Sequence, residues 1–170
     1  HTEYQEFEPM FSDGGERIDA DADVVVLAGD IGSGTEGIEW AVRTFPDKPI
    51  VYVAGNHEFY DSTMESILDD MREVAAALQV QFLEREAVQI GGIRFLGATL
   101  WSDFDIFGRG KRQMCINESI MCMNDFRLIH TTRPTPNHSP NAEPGPRRFF
   151  PEDAREIHRT SVDWLSAELA

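Results

Sequence analysis

The sequence predicts an α/β fold in which helices flank a sheet with parallel central strands. Residues 24–27 and 50–53 are short, continuous apolar runs, as in strands that are buried on both faces. Residues 34–45 between them have a helical pattern, which Pro46 ends. A strand, a helix and a second strand joined by short connections are typical of a parallel pair.

The remaining segments extend this alternation. A long amphipathic helix is predicted after Asp61-Ser62, then strands at residues 82–83, 87–90 and 93–100, with a hairpin turn at Gly91-Gly92. Six prolines lie between residues 134 and 151, and the last of them is predicted to begin a final helix. We therefore expect one domain over residues 1–170, with residues 101–150 as an irregular, lid-like insert.

Composition limits the partners of this domain. The chain has 170 residues and a formal net charge of −15, which should repel nucleic acid and anionic membranes. No apolar stretch approaches the ~20 residues that a membrane-spanning helix needs. We expect no nucleic-acid partner and no membrane, and the sequence leaves the oligomeric state open.

The two cysteines predict a reducing compartment. Cys115 and Cys122 are seven residues apart in a segment that looks helical. At ~1.5 Å of rise per residue they would be ~10 Å apart, too far for a disulfide. Reduced thiols predict a cytoplasmic location.

Polar side chains follow both apolar runs at the point where each ends. Gly29-Asp30 closes the first run, and Gly55 followed by Asn56-His57-Glu58 closes the second. Because ligands bind beyond the carboxyl ends of parallel strands, these residues should meet at one edge of the sheet. A carboxylate, an amide oxygen and imidazoles suit a divalent metal such as Mn, Fe or Zn, and two such ions can clamp an in-line displacement at phosphorus.

These two motifs, in this order, resemble those of the calcineurin-like metallophosphoesterases. The resemblance implies that family's α/β sandwich, incomplete here at both ends, and a dinuclear centre with two divalent ions. It implies that Asp30 bridges the ions, that His1 binds the first and that Asn56 binds the second. His57 would be catalytic, as an acid or a stabiliser of the transition state, and Glu58 would orient backbone or His57.

The resemblance also has gaps, which leave alternatives open. The family's Asp two residues before His1 and its later histidine motifs have no counterpart, so we expect the N-terminal part of a longer, truncated domain. Ser33 and Ala54 replace residues typical of protein serine/threonine phosphatases, so that branch is not expected. Residues 29–34 lack the pattern of a nucleotide-binding loop. The alternative function is a catalytically incomplete binding or scaffold module.

The function predicted from these observations is hydrolysis of a phosphate mono- or diester by a metal-bound hydroxide. The partner would be a small phosphate ester. The insert holds seven basic residues between positions 106 and 150 and only three acidic ones. It either steers an anionic substrate toward the site or is a solvated segment that offsets an acidic body.

Overall fold

The computed structural model describes residues 21–134 and 145–170. His1, and the central part of the proline-rich segment, lie outside the described residues. The predicted roles of both therefore stay predictions.

A three-stranded parallel sheet forms the centre of the described structure. Strand β1 (Val25–Ala28) pairs in parallel with β2 (Ile50–Val53), and β2 pairs in parallel with β3 (Gln81–Phe82). The predicted α/β class and the predicted parallel pairing of the two apolar runs are confirmed.

The two apolar strands differ in burial. Strand β2 is enclosed, with Val51 2% and Tyr52 0% exposed. On β1 the side chains alternate, and Val26 is 52% exposed. The prediction that both faces of this run are covered is wrong for β1, because one of its side-chain faces is open among the described residues. Strand β1 also lies at the edge of the described sheet. A continuous apolar run does not by itself distinguish a central strand from an edge strand.

Five helices pack around the strands or follow them in the described chain. Their apolar faces supply the core, in which Ile38, Ala41 and Met71 are fully buried. The helices are α1 (Glu36–Thr44), α2 (Met64–Ala77), α3 (Arg112–Cys122), α4 (Asp125–Leu128) and α5 (Pro151–Glu168). Proline at the first position of α5 confirms the predicted start of the last helix.

Two antiparallel pairs complete the described strands. Strands β4 (Glu86–Ile90) and β5 (Ile93–Gly97) form the predicted hairpin. Strand β5 ends three residues earlier than predicted, because Thr99 bonds instead to the side chain of Glu84 and to the carbonyl of Ala54. Strands β6 (His130–Thr131) and β7 (Arg147–Arg148) bring the two sides of the proline-rich segment together.

The segment predicted as an irregular insert thus contains helices α3 and α4 and strands β6 and β7. Its irregular part among the described residues is mainly the loop over residues 101–108. A role as a lid stays a prediction.

Among residues 21–134 and 145–170, no helix combines the length and the apolar character that crossing a membrane requires.

Candidate functional site

The site lies where β1 and β2 end side by side. Gly29 has a φ of +86°, and a Cβ built on it would lie 2.8 Å from the Cα of Gly55. A Cβ on Gly55 would lie 2.1 Å from Oδ1 of Asp30. Because neither glycine has room for a side chain, the two loops approach closely enough for the Asp30 carboxylate to rest against Gly55.

Glu58 joins the two strand ends. Its side chain is fully buried. One carboxylate oxygen accepts hydrogen bonds from the backbone N–H of Asp30 at 3.0 Å and of Gly55 at 2.8 Å. The other accepts from the backbone N–H of Ile31 and from the hydroxyl of Tyr52, both at 2.8 Å. The prediction that Glu58 orients backbone is confirmed, since four donors occupy the hydrogen-bonding capacity of its carboxylate.

Asn56 is held by two partners through its amide nitrogen. Nδ2 donates to Oδ1 of Asp125 at 2.7 Å and to the hydroxyl of Tyr60 at 3.1 Å. The Tyr60 hydroxyl in turn donates to the same Asp125 oxygen at 2.8 Å. Burial, followed by the hydrogen bond to Asp125, raises the pKa of Tyr60 above its ordinary value, so the hydroxyl keeps its proton and remains a donor.

His57 lies beside these groups. Its backbone N–H donates to Oδ1 of Asp30 at 3.2 Å. Its ring packs on the ring of Tyr60, with centroids 4.4 Å apart and planes inclined by 31°. The side chain next in sequence to Asn56 is therefore oriented by the same tyrosine that contacts the Asn56 amide.

A cavity of about 770 Å³ opens at these strand ends. Asp30, Asn56 and Asp125 supply polar groups to its lining. Its apolar wall includes Val26 of β1 and Trp101 of the following loop. Trp101 also packs against the core, since its ring centroid lies 4.7 Å from that of Phe149.

The donors present fit part of a metal centre. The carboxylate of Asp30 and the amide oxygen of Asn56 suit a divalent cation, and both residues line one cavity. Within residues 21–134 and 145–170, however, no group of three or more His, Cys, Asp and Glu side chains is placed to hold a metal. The metal roles of Asp30 and Asn56, and that of His1, therefore stay predictions.

Several basic residues of the insert are paired with acids. The guanidinium of Arg112 donates to Asp105 from Nε at 2.6 Å and also from Nη2. Arg147 makes two hydrogen bonds of 2.7 Å to Asp153. The positive charges of Arg112 and Arg147 are therefore largely offset by these neighbouring carboxylates. Arg109 and Lys111 are exposed.

Sequence reasoning missed Asp125 and Tyr60. Tyr60 follows Asn56 by four residues, which was a usable local indication. Asp125 is 69 positions from Asn56, and no local pattern marks it.

The arrangement is that of an α/β protein whose site lies beyond the carboxyl ends of parallel strands. The model of the family described as calcineurin-like phosphoesterase matches residues 1–165, and the chain belongs to that family. Neither the curated proteins nor the solved structures supplied a match. The family assignment makes the chain a member of a hydrolase class that acts on phosphate esters and typically uses divalent metals.

Proposed function

We propose that this protein is a metal-dependent phosphoesterase that hydrolyses a small phosphate mono- or diester at a centre of two divalent ions. The observation that carries the proposal is the convergence of Asp30 and Asn56 on one cavity, with Glu58 holding both strand ends. Membership of the calcineurin-like phosphoesterase family supports the same chemistry.

The residues have separate tasks in this proposal. Asp30 would bridge the two ions, Asn56 would bind one of them through its amide oxygen, and His1 would bind the other. When bound, Mn, Fe or Zn ions would activate water for attack and offset the charge on the phosphoryl oxygens. Holding Asp30 in a left-handed conformation, with φ of 59°, turns its side chain out of the strand direction at the point where β1 ends.

His57 would supply a proton to the leaving-group oxygen. Its ring lies against Tyr60, which also contacts Asn56, so the acid and a metal ligand share one support. A positioned histidine acid typically contributes ~10²–10⁴-fold to the rate.

The test compares two substrates in the full-length protein with saturating Mn²⁺. His57→Ala should keep its metal content and lose ~10²–10⁴-fold in kcat on an alkyl phosphate, whose leaving group needs a proton. The loss should be small on a nitrophenyl ester, whose leaving group scarcely needs one. His130→Ala, in strand β6, is the matched control and should leave the ratio of the two rates unchanged.

An equal loss of kcat on both substrates would mean that His57 is not the acid and instead stabilises charge in the transition state. Absence of turnover and of metal in the wild-type protein would favour the alternative, a binding or scaffold module with a phosphoesterase fold.

We also propose a cytoplasmic location. Cys115 and Cys122 are both free thiols on one helix, which suits a reducing compartment.

A further inference from the structure

Asp125 is a buried acid that the proposed chemistry does not use. Its side chain is 1% exposed, and it lines the cavity together with Asp30 and Asn56. Its Oδ1 accepts two hydrogen bonds, whereas its buried Oδ2 accepts none from residues 21–134 and 145–170. Burying a carboxylate with one oxygen unsatisfied costs free energy, so its presence calls for an explanation.

The contact between Asp125 and Asn56 determines which end of the Asn56 amide points toward the acid. A primary amide has a carbonyl oxygen, which binds cations, and an NH₂ group, which does not. The oxygen end and the NH₂ end have nearly the same shape, so packing alone hardly distinguishes them. A carboxylate oxygen that already accepts from Tyr60 offers an acceptor to Asn56 and requires the NH₂ group to face it.

We infer that Asp125 is a positioning residue, which holds the NH₂ group of Asn56 so that its carbonyl oxygen is the atom presented to a divalent metal ion. The inference rests on the proposed function for the metal and on the hydrogen bonds for the orientation. The Tyr60 hydroxyl supports this arrangement, because it accepts a hydrogen bond from Asn56 and donates one to the Asp125 carboxylate. A cation beside Asn56 would also offset the charge of the buried carboxylate.

The decisive experiment exchanges the two side chains. Asp125→Asn should weaken Mn²⁺ binding, measured by calorimetry on the full chain, by ~10–100-fold, the usual effect of losing an outer partner of a metal ligand. Asn56→Asp places a carboxylate at position 56. Its two oxygens are equivalent, so either of them can bind the metal ion and no partner is needed to orient the group. In that background Asp125→Asn should leave Mn²⁺ affinity unchanged or raise it, because the new amide can donate to the new carboxylate.

A merely structural role for Asp125 would lower the affinity in both backgrounds, and that result would overturn the inference. Tyr60→Phe is the milder variant, since it keeps the ring against His57 and removes only the hydroxyl. It should weaken Mn²⁺ binding less than Asp125→Asn does. Thermal unfolding of every variant separates loss of folding from loss of affinity.

A second measurement needs no metal. In the metal-free wild type, the side-chain amide protons of Asn56 should exchange slowly in NMR spectra, and Asp125→Asn should make them exchange faster. Fast exchange in the wild type would overturn the inference. If the wild type binds no Mn²⁺, the proposed function and the metal part of the inference fall together. The exchange data would then decide separately whether Asp125 holds the amide.

Discussion

The carboxylate of Glu58 lies 3.0 Å from the backbone nitrogen of Asp30, although the two residues are 28 positions apart. The same oxygen binds the backbone nitrogen of Gly55 at 2.8 Å. One buried side chain therefore sets the separation of the two loops that carry the candidate metal ligands. Glu58 acts on the site through the backbone.

The bond between Glu58 and the two loops predicts the behaviour of Glu58→Gln. The amide of glutamine has one acceptor oxygen, so some of the four donors lose their partner. Each buried donor left unsatisfied costs ~1–3 kcal/mol, and we expect a loss of at least that size in the free energy of unfolding. Mn²⁺ affinity should fall as well, because the loops are no longer held together.

The control for Glu58 is Glu65→Gln on helix α2. Glu65 also accepts hydrogen bonds from a side chain and a backbone group, those of Thr131 and Thr132. Its loss should reduce stability and leave Mn²⁺ affinity unchanged. Equal loss of metal in both variants would mean that reduced stability alone explains the effect. Urea denaturation and metal titration measure the two quantities.

The contact between Gly55 and Asp30 predicts a steric effect. Gly55→Ala would place a Cβ 2.1 Å from Oδ1 and 2.6 Å from the backbone nitrogen of Asp30, so the carboxylate and the loop backbone must both move. We expect ~1–3 kcal/mol of destabilisation and weaker Mn²⁺ binding. Gly110→Ala is the control, because its Cβ meets nothing within 4 Å. That variant should change stability by less than ~0.5 kcal/mol. Unchanged metal affinity in Gly55→Ala would show that the Asp30 carboxylate does not need its present position.

The proposed bridging role of Asp30 predicts the metal content of Asp30→Ala. A carboxylate shared by two ions holds both, so elemental analysis after loading with Mn²⁺ should find neither. Asp61→Ala is a close control, because Asp61 is exposed and has a φ of 55°, near the 59° of Asp30. Both substitutions leave alanine in the left-handed region, so the backbone strain is matched. Retention of both ions in Asp30→Ala would refute the bridging role.

The lowered pKa of Glu65 predicts that the stability of the protein depends on pH. Burial opposes ionisation of Glu65, but hydrogen bonds from Thr131 and Thr132 outweigh it, and its pKa is lowered from 4.5. A folded-state pKa below the unfolded value gives stability that is present above the unfolded pKa and is lost as the pH falls through the folded one. The difference in unfolding free energy between wild type and Glu65→Gln should therefore be constant near neutral pH and shrink below about 4.5. A difference that stays constant down to acid pH would contradict this assignment.

The exposed basic residues of the insert predict a salt-dependent rate. The insert contributes Ser119 and Met123 to the cavity wall, and Arg109 and Lys111 precede them. Reversing Arg109 and Lys111 to Glu should lower kcat/KM for a phosphate ester several-fold at low salt. The effect should fade at physiological ionic strength, where the Debye length is ~8 Å.

The matched variant for this charge reversal places Glu at Arg43 and Arg72. These residues lie on helices α1 and α2, are exposed, and give the same change in net charge. Equal rates for the insert variant and the wild type at low salt would show that the insert is a solvated segment that does not steer the substrate.

Local patterns in the sequence mark the places where the chain passes from a strand into the site. The apolar runs ending at Gly29 and Gly55 are local patterns, and parallel pairing of the strands follows from the helix between them. That is why the meeting of Asp30 and Asn56 at one edge of the sheet could be predicted, whereas the backbone role of Glu58 was implied by the resemblance to the family. Helix α5 was predictable for the same reason, since Pro151 marks its first turn locally.

The groups that surround those residues depend on tertiary packing. Asp125 meets Asn56 across 69 positions because helix α4 packs near the end of β2, and no periodicity or motif encodes that approach. The exposure of Val26 and the early end of β5 depend on what packs beside each strand. Local patterns specify backbone conformation, which neighbouring residues control. The partner of a side chain depends on packing between distant segments, and a single sequence does not display that packing.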